Sequence, residues 1–254
     1  MIFLYIIANK SEIVQNFDLK AITNNLQKEL KGTKDEKNKI IKMQESDCMM
    51  LYSILYGKQD IQLRRESINA GIVDILLHIF SSRDPDDITE LYTRGFFVFT
   101  YPYSFPMSQL LIEKQPFPSL LLLLTHKDEN IIVNILASID NILYAGAIGS
   151  ESTSQHPFFT DLASAGGIEK IYSVFKRTSN EYIKKISAIC IGIVLKAQEI
   201  KDFTMRKEII SHIKSTINDP DEETRNEARL ALRCLSQNQV NKAEIECDGF
   251  TIPE

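Results

Sequence analysis

The chain has 254 residues, 44% of them apolar, and a formal net charge of −5. An apolar share of that size supplies a core. The acidic balance argues against generic nucleic-acid binding, which needs clustered cations to displace counterions from phosphates. No 18-residue apolar run occurs, so no membrane partner is expected.

Taken in chain order, Met1–Ala8 is apolar but short, with no basic leader and no small-residue cleavage site. It reads as the start of a helix or the trace of an upstream repeat. Leu19, Ile22, Leu26 and Leu30, followed by Cys48, Leu51 and Leu55, outline a degenerate N-terminal repeat or cap over residues 1–57. Between its two halves Lys31, Lys34, Lys37, Lys39 and Lys42 form the densest basic stretch. Asp35, Glu36, Glu45 and Asp47 dilute it, and a solvated connector is expected there. Gly57 and Asp60 mark a break.

From residue 58 to 237 one helical pattern recurs about four times. Three segments show apolar residues at offsets of zero, three, four and seven: Ile72, Ile75, Leu76, Ile79; Phe117, Leu120, Leu121, Leu124; Ile168, Ile171, Tyr172, Phe175. The fourth keeps Ile210, Ile213 and Ile217 but has Lys214 at the third place. The anchors are 45, 51 and 42 residues apart, the period of two- or three-helix solenoid repeats. A polar link follows each segment, as in Thr125–Asn130 and Asn218–Glu222. Its Asp, Asn and Ser residues suit the start of the next helix.

That next helix carries a second stripe: Tyr92, Phe96, Phe99; Ile135, Ile139, Ile142; Ile186, Cys190, Ile193; Ala228, Leu232, Leu235. Short first helices are predicted at Ile61–Asn69 and near His156–Ala165 and Ile200–Arg206. The insertion Gly146–His156 explains the longest spacing. Tyr101, Tyr103 and Phe105 follow the second-stripe helix of the first repeat. Pro102 stops that helix, and two readings stay open for the three rings: an exposed partner loop, or packing under the next repeat. Residues 238–254 read as a polar C-terminal tail.

These features resemble the armadillo repeat. Ala70-Gly71-Ile72 and Ala165-Gly166-Gly167-Ile168 match the family's junction between a short first helix and an apolar second one. Ile139-Asp140-Asn141-Ile142-Leu143 is similar to its third-helix ending. The last repeat is similar to the related HEAT pattern at Asp219-Pro220-Asp221, Arg225, Ala228, Ala231, Leu232 and Leu235. The resemblance covers residues 57–237 and implies an all-α, right-handed α-solenoid of stacked two- and three-helix armadillo/HEAT-like repeats. In such solenoids the last helix of each repeat lines a concave groove suited to an extended peptide. Nuclear-import adaptors of the family clamp basic peptides with a ladder of Trp and Asn. This chain has no Trp, and Val98, Gly192 and Cys234 stand where only Asn141 keeps the Asn.

No phosphate-binding loop, zinc helix or nucleophile elbow is present. His78, His126, His156 and His212 are scattered, so neither metal nor cofactor is expected. Cys48, Cys190, Cys234 and Cys247 contain no Cys-x-x-Cys pair and suit a reducing compartment, cytoplasmic with the nucleus also open. The groove residues are expected at Val98, Arg94, Leu91; Asn141, Ala137, Asn134; Gly192, Ala188, Lys185; and Cys234, Leu230, Glu227. Arg94, Asn134, Asn141, Lys185 and Glu227 are the candidate partner-binding side chains, around a shallow, uncharged middle made by Ala137, Ala188 and Gly192. The reading is a monomeric, non-enzymatic scaffold that binds other proteins or peptides. The alternatives are a regulatory or adaptor segment of a larger signalling or ubiquitin-related protein, and an enzyme in an unfamiliar helical fold.

Overall fold

The structure, a computed structural model, describes residues 18–151 and 154–252. Met1–Ala8 lies outside them. Among the described residues there are 14 α-helices and no strand. Helices α1 (Leu19–Leu26) and α2 (Lys34–Leu55) open the stack. Then come α3 (Ile61–Asn69), α4 (Ile72–Ser82) and α5 (Glu90–Phe97); α6 (Phe105–Ile112), α7 (Pro116–Leu122) and α8 (Glu129–Ile148); and α9 (Phe159–Ser164), α10 (Gly167–Arg177) and α11 (Glu181–Val194). Helices α12 (Phe203–Thr216), α13 (Glu222–Leu235) and α14 (Gln239–Glu246) complete the chain.

Two rows build the solenoid. Helices α2, α5, α8, α11 and α13 pack one on the next, and α1, α4, α7 and α10 run beside them. Every residue of the second stripe is buried, from Tyr92 to Leu235. The anchor stripe is buried as well, except that Ile75, Ile168, Tyr172 and Ile217 are half-buried. One member, α8, is long and apolar enough to cross a membrane by length and composition, but 72% of that stretch is buried among its neighbours.

Local chemistry sets the helix ends. Asp128 accepts from the Asn130 amide, Asn180 from those of Tyr182 and Ile183, and Asp221 from that of Thr224. The longer first link folds its extra residues into a 3₁₀ turn, Pro85–Asp87. Gly71 (φ 88°) and Gly166 (φ 70°) take the left-handed conformation at the α3–α4 and α9–α10 junctions. In the second repeat Gln115 occupies that place with φ 49°.

Four sequence expectations change. Lys34, Lys37, Lys39 and Lys42 are exposed but belong to α2, because Thr33 and Glu36 form a reciprocal cap that starts the helix there. Phe105 is not in a loop: it opens α6, the first helix that the second repeat needs, with Pro106 accommodated in its first turn. Ile200–Arg206 is not a separate first helix, since Asp202 caps a single helix, α12, from Phe203. The insertion begins only after Ile148, where α8 ends.

The C-terminal segment explains Lys214. Its ammonium donates to the Ile245 carbonyl (2.9 Å) and to Asp248 (2.6 Å), and it lies 4.6 Å from the Phe250 ring centroid. Asn241 of α14 is buried, accepts from the Ile200 amide and donates to the Gln198 carbonyl. The break in the fourth apolar stripe is therefore a polar attachment for the last helix.

Three stability outcomes follow from this packing. Leu232→Ala or Ile139→Ala removes methyl groups from fully buried sites and should cost ~2–5 kcal/mol in denaturant unfolding. Gln115→Gly should instead raise stability by ~0.5–1 kcal/mol, because a residue with a Cβ is strained at that φ; an unchanged or lowered midpoint would contradict the strain. The third outcome concerns pH. His156 is buried, accepts the Phe158 amide at Nδ1 (3.1 Å) and uses Nε2 on the Leu143 carbonyl (2.8 Å), which locks the neutral ring. Burial lowers its pKa from 6.5 to about 4. The unfolded chain thus binds a proton that the folded chain refuses, and stability falls as pH drops from the unfolded pKa towards the folded one. Between those limits the wild type should lose ~2–3 kcal/mol more than His156→Gln.

Candidate functional site

Across the row of third helices runs one groove. Phe97 from the end of α5 and Tyr101 from the following segment form one wall, and Ala137, Asp140 and Asn141 of α8 form the floor. Tyr182, Lys185 and Ile186 of α11 and Asp219–Glu227 at the start of α13 close the other side. The cavity there is about 370 Å³.

All five candidate residues lie on this row, and each already has a partner within the fold. Arg94 pairs with Glu90 (2.7 Å) and stacks over Tyr52. Asn134 donates from Nδ2 to Thr93 Oγ1 (3.1 Å). Asn141, 8% exposed, donates from Nδ2 to Thr100 Oγ1 (3.2 Å), while no donor among the described residues is spent on its side-chain oxygen. Lys185 is bonded to Asp219 at 2.5 Å. Asn141, Lys185 and Glu227 share the cavity; Arg94 and Asn134 sit outside it.

The expected shallow, uncharged middle is overturned. Ala188 and Gly192 are buried rather than lining the groove. A Cβ on Gly192 would come within 2.8 Å of Ile213 Cδ1 and 2.9 Å of Ala231 Cβ, so the small residue serves close packing of α11 against α12 and α13. Val98 and Cys234 are likewise buried. The middle is acidic instead, with Asp140, Asp219, Asp221, Glu223 and Glu227.

Towards the N-terminal end the groove is aromatic. Tyr52 and Tyr56 stack at 4.7 Å between centroids, Phe97 and Tyr101 at 5.7 Å, and Tyr56 lies 5.9 Å from Tyr101. Tyr103 meets Tyr144 at 4.5 Å. Buried Arg64 holds this end in place by donating to the carbonyls of Val98, Leu55 and Tyr101, each at 2.8 Å. The two sites that the sequence sets apart, groove and aromatic segment, are thereby joined at Tyr101. Phe105 leaves the candidate set, since it packs on Phe158 at 6.2 Å.

Sequence reasoning assigned Asp140 no role, although it sits beside Asn141. It is 2% exposed, and its Oδ1 accepts from the Cys190 thiol at 3.6 Å. Its other partner is the Glu227 carboxyl. Burial and mutual repulsion push the Glu227 pKa well up, and burial does the same for Asp140. Tyr52, Tyr56, Phe97 and Tyr182 also went unassigned. Their signal was faint: single aromatics on helices otherwise read as core or solvent face.

Among the described residues no group of three His, Cys, Asp or Glu side chains is placed to hold a metal ion. No family model matches the chain, and no curated protein matches it. Solved structures do. A designed armadillo repeat protein in complex with a (KR)4 peptide is 18% identical, with a TM-score of 0.63 over 92% of this chain and 88% of that one. A second designed armadillo repeat protein gives 17% and 0.64 over 91% and 88%. Computationally designed armadillo repeat proteins for modular peptide recognition give 18% and 0.61 over the same shares. At such identity the likeness is one of architecture, and this chain has an armadillo-like repeat fold.

Proposed function

We propose that the chain is a non-enzymatic interaction scaffold that holds an extended segment of a partner protein in the groove across its third helices. The observation that carries the reading is the meeting of Tyr101, Asn141, Lys185 and Glu227 in one continuous groove. An extended segment leaves its backbone amides unpaired, and the open side-chain oxygen of Asn141 can accept from one of them. Half-exposed rings at Tyr56 (46%) and Tyr182 (49%) add apolar contact at low entropic cost. The armadillo-like neighbours designed for peptide recognition support the same use of the fold. Three free cysteines are buried, which fits a reducing compartment, and the reading places the scaffold in the cytoplasm or nucleus.

The test selects extended peptides from a random display library on the whole chain, then measures their affinity for variants. Tyr101→Ala and Asn141→Ala should each weaken binding by ~1–3 kcal/mol. Lys207→Ala, on α12 and away from the groove, should leave it unchanged. Selected peptides that lose affinity only with Lys207→Ala, or that protect no amide of α8 or α11 from exchange, would refute the groove as the site.

A further inference from the structure

The chain has a net charge of −5, yet one cavity of about 520 Å³ is ringed by lysines. It lies between α10, the start of α11 and α12, and shares no lining residue with the groove. Each helix supplies one ammonium: Lys176 from α10, Lys184 from α11 and Lys207 from α12. Three like charges around one cavity repel one another unless an anion offsets them. The acid in the wall, Glu208, is already taken. Lys176 holds one of its oxygens at 2.5 Å and the Tyr172 hydroxyl the other at 2.7 Å. Among the described residues neither Lys184 nor Lys207 has an ion-pair partner; Lys184 instead lies 5.6 Å from the Phe175 ring centroid.

Neutral donors complete the wall. Lys207, Ser211 and Ser215 follow one another at single turns along one face of α12. Ser215 donates to the His212 carbonyl, whereas the exposed Ser211 hydroxyl has no acceptor among the described residues. His212 Nε2 is buried without a partner, which leaves Nδ1 as the open nitrogen of that ring. Burial and the nearby Lys184 lower its pKa and keep the ring neutral. Its one proton belongs on Nδ1, because a buried N–H without an acceptor is rarer than a buried acceptor without a donor. Ammonium, hydroxyl and imidazole N–H groups together suit an oxyanion. A nucleotide fits poorly: Tyr172, Lys184 and His212 already cover Phe175, so no ring face is left for a base. Glu208 in the wall and Glu181 beside His212 interrupt the continuous basic face that a membrane or a nucleic acid needs. A single compact phosphate is the better match.

We propose that the cavity between α10, α11 and α12 binds a phosphorylated side chain, phosphoserine or phosphothreonine, of a partner protein. Its phosphate accepts from Lys184, Lys207, Ser211 and His212 Nδ1, and its charge offsets the lysines that Glu208 leaves unpaired. The site does not depend on the groove reading. It gives the scaffold a second contact, one that phosphorylation of the partner switches on.

The experiment is heteronuclear NMR titration of the whole chain with an end-capped alanine pentapeptide carrying phosphoserine at its centre, and with the same peptide carrying serine. The phosphopeptide should shift the Ser211 amide and the His212 imidazole saturably, and the serine peptide should not. Inorganic phosphate, at constant ionic strength, should displace the phosphopeptide. Lys184→Gln and Lys207→Gln should each weaken its binding at least about fivefold, while Lys207→Arg keeps most of it. Tyr101→Ala should leave it unchanged, which separates this site from the groove. Absence of a saturable shift at Ser211 and His212 would overturn the proposal. So would phosphopeptide affinity that survives Lys184→Gln combined with Lys207→Gln. Binding to vesicles containing a phosphatidylinositol phosphate, with no response to the phosphopeptide, would overturn the protein partner in favour of a lipid.

Discussion

The close approach of successive third helices is the constraint on which the rest of the structure depends. Each repeat exposes an apolar face that it cannot cover alone, and the next repeat must cover it. Small residues allow this. A Cβ on Gly95 would lie 2.9 Å from Cys48 Cβ on α2, and Gly192 is equally crowded by Ile213 and Ala231. The approach stacks α2, α5, α8, α11 and α13 into one row. The shape of the groove is a consequence of that row.

Such a stack leaves helix ends facing the joints between repeats, where their last carbonyls need donors. The chain answers with a different polar side chain at successive joints. Arg64 serves the ends of α2 and α5, and His156 serves Leu143 inside α8. Buried Lys196 donates to the carbonyls of Ala147 and Glu151 at the end of α8. A cation there also meets the negative end of the helix dipole. Asn241 performs the equivalent task for the link before α12. These residues are buried and satisfied, so they hold the repeats at fixed angles and keep the groove walls in place.

Against that satisfied frame the floor of the groove stands out. Buried Arg64 donates to three carbonyls and buried Lys196 to two carbonyls and the Ser150 hydroxyl, whereas Asp140 has a thiol and another acid. Among the rings, Tyr92 is buried and bonded to Gln44, while Tyr56 at the N-terminal end and Tyr182 on α11 remain half open.

Periodicity gave the repeat, its long helices and both core stripes, and the resemblance to the armadillo repeat supplied the glycine junctions. An apolar face every 3.6 residues and a glycine at positive φ are local signals that survive without a neighbour. Local chemistry also misled. Phe105–Ile112 is a helix hidden behind prolines, and Gln115 takes the left-handed turn without the glycine that would have announced it. What only the tertiary structure decided is which side of each helix is free. Ala188 and Gly192 were expected to open the groove but vanish under the next repeat, while Asp140 and Glu227, 87 residues apart, meet across α11. No single-helix pattern contains that pairing. It exists because three consecutive third helices lie side by side.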